Sequence, residues 1–165
     1  MLIVFSGLPG TGKSTLARKL AERLGATYLR IDTIERAIAE SDDAISIWDK
    51  GYRVAFAVAE DNLRLGRTVI GDAVNPLQIT REAWRRTAER VGSSVVEIEI
   101  LCSDLQEHRR RIETRVVDIP VTWDEVVQRN YEAWTGDHLA IDTAGQNIAK
   151  SFEILFALVS EKLPK

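Results

Sequence analysis

The residues best suited to chemistry form one contiguous run, Gly7-Leu8-Pro9-Gly10-Thr11-Gly12-Lys13-Ser14, followed by Thr15. The run satisfies G-x-x-x-x-G-K-[ST] at every fixed position. Glycine tolerates backbone angles that let a chain curl and aim successive N–H groups inward, at phosphate oxygens. Lys13 brings a mobile cation to β- and γ-phosphates, and the Ser14 hydroxyl is suited to Mg²⁺. The flanks agree. Residues 1–5 are a short apolar run, and Leu16, Leu20 and Leu24 then recur every four residues as a helical stripe. Strand, glycine-rich turn and helix start together make a phosphate cradle, with the positive end of the helix adding to it. Contacts to a nucleoside triphosphate are therefore expected from Gly7, Pro9, Gly10, Thr11, Gly12, Lys13, Ser14 and Thr15.

Other candidates are dispersed. Asp32 follows a second apolar run at 27–31 and could take the proton of an acceptor hydroxyl, or simply cap a helix. Arg36, four residues on, could hold the acceptor or pair with Asp32. Asp72 follows a third apolar run at 68–70. It is a candidate for the acceptor site and for the Mg²⁺ shell through water; a turn-stabilising aspartate is the competing reading. The stretch from His108 to Arg115 holds four arginines. Arg111 and Arg115, spaced i, i+4, are the best pair to meet the charge of a transferring phosphoryl group. A solvated helix face, with Glu107 beside Arg111, is the alternative. Arg129 could reach the nucleotide or lie idle on the surface. The turn at 142–145 offers the backbone of Thr143 and Ala144 to an adenine. His108 and His138 have no partner pattern and are not expected to be catalytic. Cys102 reads as a small apolar core residue.

Five apolar runs, at 1–5, 27–31, 68–70, 95–101 and 139–141, alternate with helical patterns. That alternation predicts an α/β fold of βα units on a parallel sheet. Helices are expected at 13–24, 32–40, 44–65, 80–91, 104–116, 123–134 and 146–162. Gly25 ends the first, and Thr122 with Glu125 forms a capping box for the sixth. Trp48, Tyr52 and Phe56 fall on one helix face, as core or as an aromatic wall of an acceptor pocket.

The 165 residues suit one domain, and no segment approaches the roughly 18 consecutive apolar residues of a membrane span. The first strand begins at residue 1, so no targeting segment is expected. A single cysteine excludes an intramolecular disulfide and suits a reducing cytoplasm; with two histidines it makes no zinc site. The net charge of −3 provides no basic field to recruit nucleic acid.

These residues carry a resemblance. GLPGTGKST, Asp32 with Arg36, VIGDAVNPLQITREAW and HRRRIETR resemble the small P-loop kinases of the shikimate kinase, gluconokinase and chloramphenicol phosphotransferase type. The chain is especially similar to the kinase domain of bacteriophage polynucleotide kinase. PVTWDEVVQRNYEAW and AIDTAG also resemble bacterial AAA-type kinases. The resemblance implies a three-layer P-loop NTPase fold, with a five-stranded parallel sheet ordered 2-3-1-4-5 and helices on both faces. It implies an arginine lid, here near 109–122, with the lid arginine between Arg110 and Arg115. It also makes Asp32 the base. Two departures stand out: the Asp-to-Arg spacing is four rather than three, and Gly71-Asp72 stands where shikimate kinases have Gly-Gly. Shikimate is therefore not an expected substrate.

The stretch from Asp32 to Arg64 holds eight acids against four bases. If it walls the acceptor pocket, a polyanion is repelled, and a small neutral or cationic hydroxyl compound is expected. The expected activity is transfer of the γ-phosphate of ATP, with Mg²⁺, to such a compound, by a monomer or homodimer. The alternatives are a polynucleotide 5′-hydroxyl kinase and a nucleotide-dependent ATPase switch.

Overall fold

The computed structural model describes residues 1–41, 49–116 and 120–163. Five strands, β1 (Leu2–Ser6), β2 (Thr27–Arg30), β3 (Val69–Asp72), β4 (Val95–Leu101) and β5 (Leu139–Asp142), form one parallel sheet ordered β2-β3-β1-β4-β5. This is the order implied by the resemblance. Seven helices connect and cover the strands: α1 (Lys13–Leu24), α2 (Ile31–Ser41), α3 (Lys50–Arg64), α4 (Gln78–Glu89), α5 (Leu105–Thr114), α6 (Trp123–Gln128) and α7 (Ile148–Ser160). No described helix is long and apolar enough to cross a membrane.

The unbroken apolar run of β1 has a simple cause: a central parallel strand is buried on both faces. Ile3 and Phe5 pack with Leu16 and Leu20 of α1 and Leu155 and Val159 of α7. Leu2 and Val4 face the other way, onto Ala55 and Ala59 of α3 and Trp84 of α4. Gly25 closes α1 in the left-handed conformation (φ 62°), its N–H bonded to the Ala21 carbonyl.

At Gly71 the Trp84 ring of α4 packs directly on β3. A Cβ there would lie 2.9 Å from ring atoms of Trp84, a side chain with no exposure. Gly71→Ala is therefore expected to cost about 1–3 kcal/mol, as overpacked cores do. Thermal unfolding would register it as a lower Tm, by roughly 2–4 °C per kcal/mol.

Several elements differ from the sequence expectation. The third strand runs on through Asp72, which is therefore buried in the sheet rather than free in a turn. Asp32 lies in the first turn of α2, one residue inside it, and so does not cap it. The capping box of Thr122 and Glu125 is present, but α6 stops at Gln128 instead of 134. Tertiary contacts take the chain away: the Glu132 N–H bonds the Pro76 carbonyl, and Arg81 Nη2 donates to the Glu132 carbonyl. The Arg81 guanidinium also lies over the Trp134 ring, 4.2 Å from its centre. Trp48 lies outside the described residues. Phe56 is half-buried and packs against the core, edge-on to Trp84 at 4.7 Å.

Candidate active site

The glycine-rich loop crosses from β1 to α1 at the carboxyl edge of the sheet. Gly7 (φ 137°) passes so close to β4 that a Cβ would meet the Ile100 carbonyl oxygen at 2.3 Å. No other residue fits that passage. Gly12, itself left-handed, caps α1 without any side-chain acceptor, and no acid occupies the first turn. The N–H groups of that turn are thus left to whatever anion the loop holds.

Inside the loop Lys13 reaches across to β3. Its Nζ lies 3.0 Å from Asp72 Oδ1, and both side chains are buried. The Tyr28 hydroxyl donates to Asp72 Oδ2 at 2.6 Å, and the Ser14 hydroxyl lies near this carboxylate. Burial by itself would raise the Asp72 pKa, but the Lys13 charge and the donors Tyr28, Ser14 and Lys13 outweigh it and hold the carboxyl below its ordinary range. Burial, with Asp72 alongside, pushes the Tyr28 phenol up. Ser14 and Asp72 thus form a pair of oxygen donors beside the phosphate cradle. That suits a hard cation that takes its remaining ligands from phosphate and water. Among the described residues no cluster of three or more His, Cys, Asp or Glu side chains is placed to hold a metal by itself.

The loop is braced from the β4–β5 side. His108 Nε2 is 2.7 Å from the Pro9 carbonyl, and Ile112 of the same helix packs under Gly10. Thr11 Oγ1 donates to the Leu8 carbonyl. Thr143 Oγ1 is 2.9 Å from both the Thr11 and Leu101 carbonyls. Arg111 donates to Thr143 Oγ1 and to its carbonyl, and to Glu107; Glu107 in turn accepts from the Gly145 N–H. The Ala144 N–H bonds Asp142. Arg111 therefore ties the 143–145 turn to α5. Thr143→Val removes the shared bond to Thr11 and an acceptor for Arg111. We expect a stability loss of about 1–3 kcal/mol and weaker binding of an ATP analogue, read by thermal unfolding and titration.

The acceptor-side candidates come together around Asp32. Pairing of Arg30 with Asp72 in adjacent strands sets the level, and Asp32 lies two residues beyond Arg30. Its Oδ2 accepts from Arg30 Nη2 at 2.8 Å. Arg36 Nε lies 3.9 Å from Glu40, and of the two readings for Arg36 the pairing with Asp32 is taken by Arg30 instead. Arg115 is not part of the helix that carries Arg111. It is the first residue past α5, in extended conformation, and its charge is felt by Asp32 and Arg30. Glu35, the next residue on that face of α2, has its pKa raised by burial and by Asp32, against Arg129. Tyr52, whose hydroxyl accepts from the Asn75 N–H, lies in the field of the same charges. Sequence reasoning missed Tyr28, Arg30 and His108. Strand alternation pairs Tyr28 with Arg30 on one face, but their partners lie on other elements. The expected lid at 109–122 overlaps α5, and its residues 117–119 lie outside the described residues. Cys102 is buried, as expected.

Comparison with known proteins agrees with this geometry. A family model described as AAA domain matches residues 2–134. A cytidylate kinase of Ignicoccus hospitalis is 28% identical over 138 residues, which is 81% of this chain and 76% of that protein. A shikimate kinase of Geobacter sulfurreducens is 26% identical over 151 residues, 88% and 83% of the two chains. Other curated kinases match over about half their own length. Among solved structures, Kti12 of Chaetomium thermophilum in complex with ADP-AlF3 superposes with a TM-score of 0.74 at 20% identity, over the full length of both chains.

Proposed function

The chain belongs to the AAA domain family; from that premise we propose that it is a small P-loop kinase that moves the γ-phosphate of ATP to a hydroxyl of a small molecule. The loop N–H groups and Lys13 would hold the phosphates. Mg²⁺, when bound, neutralises charge on the β- and γ-oxygens; Ser14 would hold it directly and Asp72 through water. Thr143 and Ala144 would border the adenine, with Arg111 keeping that turn in place. On the other side Asp32 would orient the acceptor hydroxyl and take its proton. The acceptor oxygen bonds to the γ-phosphorus, the bond to the β–γ bridging oxygen breaks, and ADP leaves.

The observation that carries this reading is Asp32, exposed at the carboxyl edge and paired with Arg30, away from the Lys13–Asp72 pair. Hydrolysis of ATP as a mere switch has no need of such a carboxylate with its own arginine partner. The test is incubation with γ-labelled ATP and a library of hydroxyl compounds. Label in an organic product is expected; label recovered only as inorganic phosphate would favour the switch reading.

A further inference from the structure

The phosphate loop is held from outside at two alternate carbonyls. His108 of α5 puts Nε2 2.7 Å from the Pro9 carbonyl oxygen, and Thr143 Oγ1 donates to the Thr11 carbonyl at 2.9 Å. A carbonyl only accepts, so Nε2 is the His108 nitrogen that carries the hydrogen here. No peptide bond among the described residues is cis, and in a trans peptide the C=O and the following N–H point in opposite directions. Drawing the Pro9 carbonyl toward α5 therefore turns the Gly10 N–H away from α5. Drawing out the Thr11 carbonyl does the same for the Gly12 N–H. Pro9 has no N–H, and the Thr11 N–H turns back to the Leu8 carbonyl. Of residues 9–11, that leaves Gly10 to offer an N–H to an anion. His108 itself has little freedom. It is 4% exposed, and its ring meets Trp123 of α6 edge-on with centroids 5.2 Å apart. Gly10 (φ 84°) sits flush on the same helix: a Cβ there would stand 2.7 Å from Ile112 Cδ1 and 3.3 Å from His108 Cδ2.

We propose that His108 is a positioning residue of the phosphate site: its bond to the Pro9 carbonyl aims the Gly10 N–H at the phosphate oxygens that the loop holds. The inference rests on the nucleotide half of the reading above and is independent of the acceptor. His108 acts through the peptide between Pro9 and Gly10, not on the nucleotide itself. The physical gain is preorganisation. A peptide dipole already turned toward the anion needs no rotation when the anion arrives, or when its charge shifts during transfer. The chain of bonds from His108 through that peptide to a phosphate oxygen also polarises each of its members, which strengthens the donor. The two residues are 99 positions apart in the sequence, so only the packing of α5 against the loop brings them together.

The chain has ten glycines, few enough for selective ¹⁵N-glycine labelling to resolve each amide. Spectra of the full chain, wild type and variants, are recorded as ADP with Mg²⁺ is titrated in, and calorimetry gives the affinities. In the wild type the Gly10 and Gly12 amide protons are expected to move downfield together on binding. His108→Phe keeps a ring against Trp123 but has no donor. It is expected to bind ADP about tenfold or more weakly, the loss of one well-aimed bond to a charged group. It should also lose the Gly10 shift while keeping that of Gly12, whose peptide Thr143 still holds. His108→Gln, whose amide can donate to the Pro9 carbonyl, is expected to restore the Gly10 shift and most of the affinity. A merely structural role would disturb Gly10 and Gly12 alike and leave glutamine no better than phenylalanine; that result overturns the proposal. So does a Gly10 amide that stays still when the wild type binds ADP, or that moves equally in His108→Phe, and nucleotide binding is then left standing. Should His108→Phe fold poorly, His108→Leu serves as the donorless variant with the same outcomes. Failure of the wild type to bind ADP overturns the nucleotide reading and this inference with it.

Discussion

Asp32→Asn is expected to lower phosphoryl transfer by about 10²–10⁴-fold, the usual contribution of a positioned general base, while binding of an ATP analogue stays close to wild type. Asparagine has the shape of aspartate, and its side-chain oxygen can still accept from Arg30 Nη2, the bond seen at 2.8 Å. What it loses is the ability to take a proton. The contacts proposed for the nucleotide lie across β3, on the loop and around Lys13 and Asp72, and do not include Asp32. The loss should therefore fall on kcat. A kcat within about threefold of wild type would remove Asp32 from the chemistry. Unchanged phosphate release without any acceptor would point to an ATPase.

Lys13→Met is expected to abolish measurable transfer and to destabilise the protein by about 3–5 kcal/mol, because it leaves the buried Asp72 carboxylate without its cation. Asp72 is 1% exposed and Lys13 8%, so water cannot stand in for the lost charge. Tyr28 still donates to Asp72, which limits the damage. The pH dependence follows from linkage. In the wild type the native pKa of Asp72 lies below its ordinary value of 3.8. Its contribution to stability is thus fully present above that value and is lost as pH falls through the native pKa. In Lys13→Met burial is opposed by hydrogen bonds alone and the native pKa moves up. The deficit relative to wild type is then largest near neutral pH and shrinks as pH falls toward 4. Denaturant unfolding at several pH values reads this directly. The double variant Lys13→Met/Asp72→Asn should recover much of the stability and none of the activity. Equal stability of Lys13→Met and wild type at neutral pH would show the ion pair to be energetically idle.

The phosphate loop, the βα alternation and the ends of several elements were legible because the physics that makes them is local. Gly7, Gly10, Gly12, Lys13 and Ser14 are neighbours in the chain, so their spacing alone describes the curled backbone and its cation. The apolar run of β1, the glycine after α1 and the box of Thr122 and Glu125 are likewise short-range rules. Asp32 and Asp72 could be singled out because each closes a strand at the edge where such sheets bind ligands.

Their partners could not be read in the same way. Lys13 meets Asp72, and Tyr28 meets Asp72, only because β3 lies between β2 and β1. The spacing of Arg111 and Arg115 did not say where either goes; Arg111 braces the Thr143 turn, and α5 ends one residue before Arg115. The helix expected to reach 134 stops at Gln128 because Arg81, on another element, takes the carbonyls beyond it. Sequence alone determined which groups this protein has to work with and which backbone cradles the phosphates, since those depend on adjacent residues. Tertiary structure decided which charge faces which, because Coulomb forces and hydrogen bonds act through space and chain neighbours say little about spatial ones.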